Sequence, residues 1–157
     1  MNTNNLLAQC VTIERTEVQS QISSRKKLFQ TMASLLSKGL DADVKEKEIY
    51  FLLWEREKLG NTGVGNGVAL PHSRCAHVQN AVVAIITLGD AVDYDAIDGQ
   101  DVDLAFGLLV PKEANEEHLK LLSQIARLVS DKENKKELCS ASTAQEVVDK
   151  IHQWSAL

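Results

Sequence analysis

Two apolar stretches constrain this chain more than any other feature. Residues 81–88 read Ala-Val-Val-Ala-Ile-Ile-Thr-Leu, and residues 102–110, closed by Pro111, are similarly rich in Val, Leu and Phe. Both are β-branched or aliphatic with little polar alternation, the pattern of strands buried on two faces. A strand of that kind needs helices packed above and below its sheet. Neither run suits a membrane, because a spanning helix requires about 20 apolar residues and the longest clearly apolar run here is 81–88.

Helical periods flank these strands. Val11, Ile13 and Val18, set among polar residues, predict an early strand. Ser24 is placed to cap a helix whose apolar residues are Leu28, Met32, Leu35 and Leu36, with Gly39 as its stop. Asp43 is expected to cap a second helix through Ile49, Leu52 and Leu53 to Leu59, ended by Gly60. Residues 89–100 form an acidic loop holding Tyr94 and Ile97. Beyond Pro111, Asn115 is a candidate N-cap, with Glu116 and Glu117 complementing the helix dipole and Leu122, Ile125 and Val129 marking the buried face. A charged helical segment follows over 131–139. Thr143 and Glu146 then form a capping box for a last helix that buries Val147, Ile151 and Trp154. Strands interleaved with helices predict an α/β sandwich.

The chain has 157 residues, one domain's worth, and the expectation is a single domain over 1–157. Lys and Arg number 17 against 22 Asp and Glu, a net charge of -5 that argues against nucleic acid as the main partner. The polar start, Met1-Asn-Thr-Asn-Asn, has no basic residue before Arg15 and no apolar core of a secretory signal. Cys10, Cys75 and Cys139 are odd in number and widely spread, which predicts reduced thiols and a cytoplasmic location.

Chemistry concentrates in residues 56–77, where Gly60, Gly63, Gly65 and Gly67 supply four of the chain's eight glycines. Glycines let backbone N–H groups approach an anion closely, though a plain flexible loop has the same composition. A nucleotide-binding P-loop is excluded, because Asn66 and Gly67 stand where its Lys and hydroxyl residue would be. The dinucleotide pattern is missing too, since Gly63, Gly65 and Gly67 alternate strictly. His72 follows Pro71, which fixes its own φ and biases Leu70 to an extended conformation. Arg56, a hydroxyl on Thr62 and the glycine amides are near it in sequence, the kinds of donor that stabilise phosphoryl oxygens. A zinc reading competes: His72, Cys75 and His77 are borderline or soft ligands, with His118 or Glu57 as a fourth, but the spacing matches no standard finger.

The segment Arg-Glu-x-x-Gly-x-Thr-Gly-x-Gly-Asn-Gly-x-Ala-x-Pro-His resembles the active-site signature of the mannitol/fructose-type enzyme IIA domains of the bacterial phosphotransferase system. Its nearest branch is the nitrogen-regulatory one. The blocks beginning at Asp95 and Leu108 extend the resemblance over residues 5–153. It implies a single mixed β-sheet sandwiched between helices. It further implies that His72 accepts a phosphoryl group through Nε2, that His118 is a second active-site histidine, and that Arg56 and Thr62 contact the phosphoryl group. Gly63, Gly65, Asn66 and Gly67 would form the phosphoryl-binding loop. By periodicity alone, His118 reads as a hydrogen-bonded core histidine one turn before Leu122. His77 and His152 match no functional position of the family and read as surface residues. Ser73-Arg74 departs from the Gly-Lys common after the histidine.

The implied donor is an HPr-type phosphohistidine carrier, with no metal or other cofactor. The recipients are regulated proteins such as transporters and sensor kinases, or a sugar-specific IIB component. With no transporter segment in the sequence, regulation is the leading expectation. A phosphate-independent interaction module is the reading from another class.

Overall fold

A computed structural model describes residues 6–114 and 116–155, apart from the side chains of Glu117, His118 and Ser155. The elements run α1 (Leu6–Cys10), β1 (Thr16–Ser20), α2 (Arg25–Ser37), α3 (Glu46–Glu57), β2 (Gly63–Gly65), β3 (Val68–Ala69), β4 (His72–Cys75), β5 (Val82–Val92), β6 (Val102–Pro111), α4 (Glu116–Ser130), α5 (Lys132–Ser140) and α6 (Ala144–Ser155).

The two apolar runs pair with each other. Antiparallel β5 and β6 form the middle of a six-stranded sheet ordered β1-β5-β6-β3-β2, with β4 also on β6. β1 joins β5 in parallel, and β3 and β4 join β6 in parallel, so the sheet is mixed, as the family resemblance implies. Alternate side chains feed two cores. Val82, Ala84, Ile86 and Leu109 pack under α2 and α3 with Phe29, Met32, Leu36, Ile49 and Leu53. Val83, Ile85, Leu104, Phe106 and Leu108 pack on the other face with Leu7, Leu121, Ile125, Val129, Leu138, Val147 and Ile151. Each large side chain so buried contributes about 1.5–3 kcal/mol, which is why these strands carry apolar residues throughout 82–86 and 104–110. Gly107 shows how tight the first core is: a Cβ there would overlap Met32 Sδ.

Local signals hold at several helix ends. Ser24 Oγ accepts the Lys27 amide at 3.1 Å, and Gly39 follows the last turn of α2 at φ +85°. The box at α6 is shifted: Thr143 Oγ1 accepts the Glu146 amide, but the Glu146 carboxylate reaches the amide and hydroxyl of Ser142 instead of returning to Thr143. Asn115, the expected cap of α4, lies outside the described residues. On α4, Ile125 and Val129 are buried, whereas Leu122 is only partly so and Leu121 takes the inner position.

Other expectations are corrected. Asp43 does not cap α3. It sits in a turn closed by the Val44 amide on the Asp41 carbonyl, and the helix starts at Glu46 with Glu46 and Glu48 complementing its dipole. α3 also stops at Glu57, leaving Leu59 84% exposed. The early strand begins only at Thr16. Val11 is buried directly after α1, a helix that the sequence reading missed, and Ile13 lies between the two elements. The acidic loop is shorter than expected, because β5 continues through Val92.

Candidate functional site

The glycine segment is a hairpin. β2 and β3 are antiparallel, with Gly65 opposite Val68, and the two residues between them, Asn66 and Gly67, have φ of +57° and +79°. Two consecutive positive φ values suit a tight type I′ turn, which Asn-Gly favours because its twist matches that of the strands. The turn is held from outside: the Asn66 amide donates to Asp98 Oδ2 at 3.1 Å, and Lys135 Nζ donates to the Asn66 carbonyl at 2.7 Å. Lys135 is also paired with Asp103 at 2.9 Å.

After the hairpin, β3 and β4 run end to end along the same edge of β6. Pro71 lies between them; it has no N–H for the ladder, although its carbonyl accepts the Leu108 amide at 3.1 Å. The break leaves the Leu70 carbonyl for the first residue of β4. His72 Nδ1 lies 2.6 Å from that oxygen. A carbonyl only accepts, so Nδ1 carries the proton and Nε2 keeps its lone pair. Among the described residues nothing bonds Nε2.

β4 is an edge strand flanked by α3 and α4. Half-buried His72 lines two hollows that also share Arg56 and Leu122. One, of about 530 Å³, is lined by Leu52, Glu55, Arg56, Leu59, Ser73, Arg74, Leu108, Val110, Leu119 and Leu122. The other, of about 340 Å³, adds Asn61, Thr62, Val64, Leu70, Ser123 and Ala126. Arg56 belongs to both, its Nη1 donating to the Gly60 carbonyl at 3.0 Å. Burial lowers the imidazole pKa below 6.5; the Leu70 bond opposes this, Arg56 reinforces it, and Glu57 opposes it. The ring is therefore neutral at neutral pH, with a cation beside it.

The structure thus brings together three of the expected site residues, Arg56, Thr62 and His72. His118 lies on α4 one turn before Leu122, but its side chain is outside the described residues. The loop residues are placed differently from expectation. The Gly63 amide is bonded to Asn61 Oδ1 at 2.7 Å and the Asn66 amide to Asp98, so neither is free for an anion. Asn66 lines another depression with Lys132, Lys135 and Cys139. Val68 and His72 pair with Leu104 and Leu108, which puts the turn roughly 13 Å or more from the histidine, at about 3.3 Å per residue.

The sequence named Glu57 only as a fourth ligand in the zinc alternative and gave Tyr94 no part in the site. Glu57, 7% exposed, accepts from the Thr62 amide at 2.8 Å and from the Thr62 hydroxyl at 2.6 Å. Tyr94, fully buried, sits 2.7 Å from the same hydroxyl. A glutamate followed five residues later by a threonine was the available signal; nothing local pointed to Tyr94. Among the described residues the zinc alternative is not assembled either. Cys75 faces the core under α3, and His77 Nε2 lies 2.7 Å from Glu48, both set by the alternation of β4 and the turn after it. His77 and His152 are exposed, as expected, the latter contacting the Ala8 carbonyl. No helix among the described residues is long and apolar enough to cross a membrane.

Comparison with known proteins gives the same fold. The model of the family described as "Phosphoenolpyruvate-dependent sugar phosphotransferase system, EIIA 2" matches residues 9–154. A nitrogen regulatory protein of Pseudomonas aeruginosa is 42% identical over 139 residues, spanning 88% of this chain and 90% of that one. The crystal structure of nitrogen regulatory protein IIA-Ntr from Neisseria meningitidis superposes with a TM-score of 0.86 at 36% identity, covering 93% of this chain and 99% of that one. Enzyme IIA mannitol of Escherichia coli, in a complex with phosphorylated enzyme IIB, shares the fold with a TM-score of 0.74 at 15% identity, over 91% of this chain and 97% of that one. This chain belongs to the EIIA 2 family of the phosphoenolpyruvate-dependent sugar phosphotransferase system.

Proposed function

We propose that this protein is a phosphocarrier: Nε2 of His72 accepts a phosphoryl group from the phosphohistidine of an HPr-type carrier, and the phosphorylation state regulates partner proteins. The observation that carries this reading is the bond between His72 Nδ1 and the Leu70 carbonyl, which leaves Nε2 as the nucleophilic atom. The Nε2 lone pair attacks phosphorus in line. The donor's N–P bond breaks, and its electron pair returns to the donor imidazole. Bonds formed and broken are of one kind, so the step is close to thermoneutral and reversible. It calls on no nucleotide and no metal.

Arg56 compensates charge on the equatorial oxygens from the rim of the hollow. His118 takes the second histidine position that the family motif assigns. Exposed Leu59 and Leu119, beside His72, supply an apolar rim against which a protein donor excludes water. The resemblance to nitrogen regulatory proteins favours regulated proteins as recipients; a IIB component is the related possibility from the mannitol enzyme. Addition of about two negative charges at His72 changes which surfaces the protein docks to.

The test is incubation with phosphoenolpyruvate, the first enzyme of the system and an HPr-type carrier. Acid-labile, alkali-stable label on the peptide containing His72, absent from His72→Ala, is the expected result. Label that persists in His72→Ala, or no label on the wild type, would overturn the proposal.

A further inference from the structure

We infer that Tyr94 is a positioning residue for the His72 site, acting through Thr62 and Glu57. This rests on the phosphocarrier reading above. The acidic loop at 93–101, to which the sequence assigned no role, braces the turn between α3 and β2. Asn61 Nδ2 donates to the Tyr94 carbonyl at 3.2 Å and to the Asp95 carbonyl at 3.0 Å. Tyr94 itself is held from behind. Arg25 Nη1 donates to its carbonyl at 2.9 Å, the Arg25 guanidinium lies over its ring, and Phe29 packs against it.

Donor and acceptor roles in this cluster follow from the bonds of the Thr62 hydroxyl. Glu57 is a buried carboxylate accepting from the Thr62 amide, and the 2.6 Å contact to its other oxygen takes the Thr62 hydroxyl proton. The hydroxyl has one proton, so Tyr94 must donate to it. Thr62 therefore has no proton left for a phosphoryl oxygen while this chain is intact. Its hydroxyl is a structural link and not a direct contact. The link runs onward: the Glu57 to Thr62 bonds close the turn over 58–61, the Gly60 carbonyl in that turn holds Arg56 Nη1, and Arg56 lines the hollow at His72. Removing the Tyr94 hydroxyl leaves a buried acceptor short of a donor and loosens the turn that aims Arg56.

The experiment measures transfer from the phosphorylated HPr-type carrier to wild type, Tyr94→Phe, Thr62→Ser, Thr62→Val and Tyr94→Phe/Thr62→Val. The expected result for Tyr94→Phe is native circular dichroism and a kcat lowered about threefold to tenfold, the scale of one hydrogen bond, with KM for the carrier unchanged. Thr62→Ser retains activity. The double variant is no slower than Thr62→Val, because both changes act along one path. A Tyr94→Phe kcat within error of wild type, a loss confined to KM, or multiplicative losses in the double variant would overturn the inference. Should Tyr94→Phe fail to fold, the Thr62→Ser and Thr62→Val pair decides: equal rates reject the link. Failure of the phosphocarrier reading is separately visible as absence of label on wild type. In that case NMR still decides the inference, which stands only if the Arg56 guanidinium signal moves in Tyr94→Phe.

Discussion

The imidazole of His72 is oriented by a residue only two positions earlier, with Nδ1 2.6 Å from the Leu70 carbonyl oxygen. Pro71 makes this possible. It has no N–H, it interrupts the parallel ladder on β6, and it frees the preceding carbonyl for the side chain that follows. A tautomer is thereby selected by backbone geometry, without a carboxylate partner on the ring among the described residues.

That tautomer predicts the isomer of the product. Phosphorylated protein will carry phosphorus on Nε2, with Nδ1 still protonated. Correlation of ring nitrogen-15 and phosphorus-31 signals distinguishes the two nitrogens; coupling of phosphorus to Nδ1 would contradict the geometry.

A second prediction concerns pH. Burial, aided by Arg56 and opposed by the Leu70 bond and by Glu57, holds the His72 pKa below the 6.5 of a free imidazole. Between that lowered value and 6.5 the unfolded chain binds more protons than the folded one. The contribution of His72 to stability is therefore complete above pH 6.5 and is lost as pH falls toward the folded pKa. The NMR titration midpoint of His72 will lie below 6.5, and transfer will fail only on the acid side of that midpoint. Arg56→Gln removes a cation that disfavours the protonated ring, so the midpoint will rise. An unchanged or lower midpoint would show that Arg56 does not face the ring in solution.

Leu59 and Leu119 are 84% and 51% exposed beside His72, an unusual position for aliphatic side chains unless something covers them. Leu59→Ser is expected to raise KM for the carrier about fivefold, equivalent to ~1 kcal/mol of docking energy, while kcat and Tm stay unchanged. Ile13→Ser, at an exposed residue outside both hollows, is the control and leaves KM unaltered. Equal responses would mean that the apolar rim is not the docking surface.

The hairpin turn yields a stability contrast. Gly67→Ala places a side chain at φ +79°, with its Cβ 2.7 Å from Lys135 Nζ and 3.2 Å from the Asp101 carbonyl. Gly99→Ala has nearly the same φ, +74°, but nothing within 4 Å. Urea unfolding should show a loss of about 1 kcal/mol for Gly99→Ala from the backbone alone, and a larger one for Gly67→Ala. A smaller loss at Gly67 would contradict the packing around Asn66 and Lys135.

The sequence by itself determined the parts whose causes are local. Apolar runs at 81–88 and 102–110 have no polar face to give to water, so a sheet covered on both sides follows from them alone. Ser24, followed three residues later by an amide it can accept, caps α2 by short-range geometry. The Arg56 to His72 signature marked His72 as the candidate phosphoryl acceptor through its resemblance to the family motif, whose residues are contiguous in sequence. The same letters misled where two causes share one composition. Glycines that suggest an anion cradle also suit a type I′ hairpin, and only the pairing of β2 with β3 decides between them.

What tertiary structure decided is the company each residue keeps across long separations. Tyr94 meets Thr62 over 32 positions, Lys135 meets Asn66 over 69, and Leu119 and Leu122 of α4 line one hollow with His72 of β4. Such contacts have no periodic or spacing signature, since they arise only when the two cores close on opposite faces of the sheet. Asp43 failed as a cap for a related reason: turn 41–44 and the packing of Ile49 and Leu53 set where α3 could begin. Short-range preferences are worth about 1 kcal/mol each, and burial of a single large core side chain outweighs them.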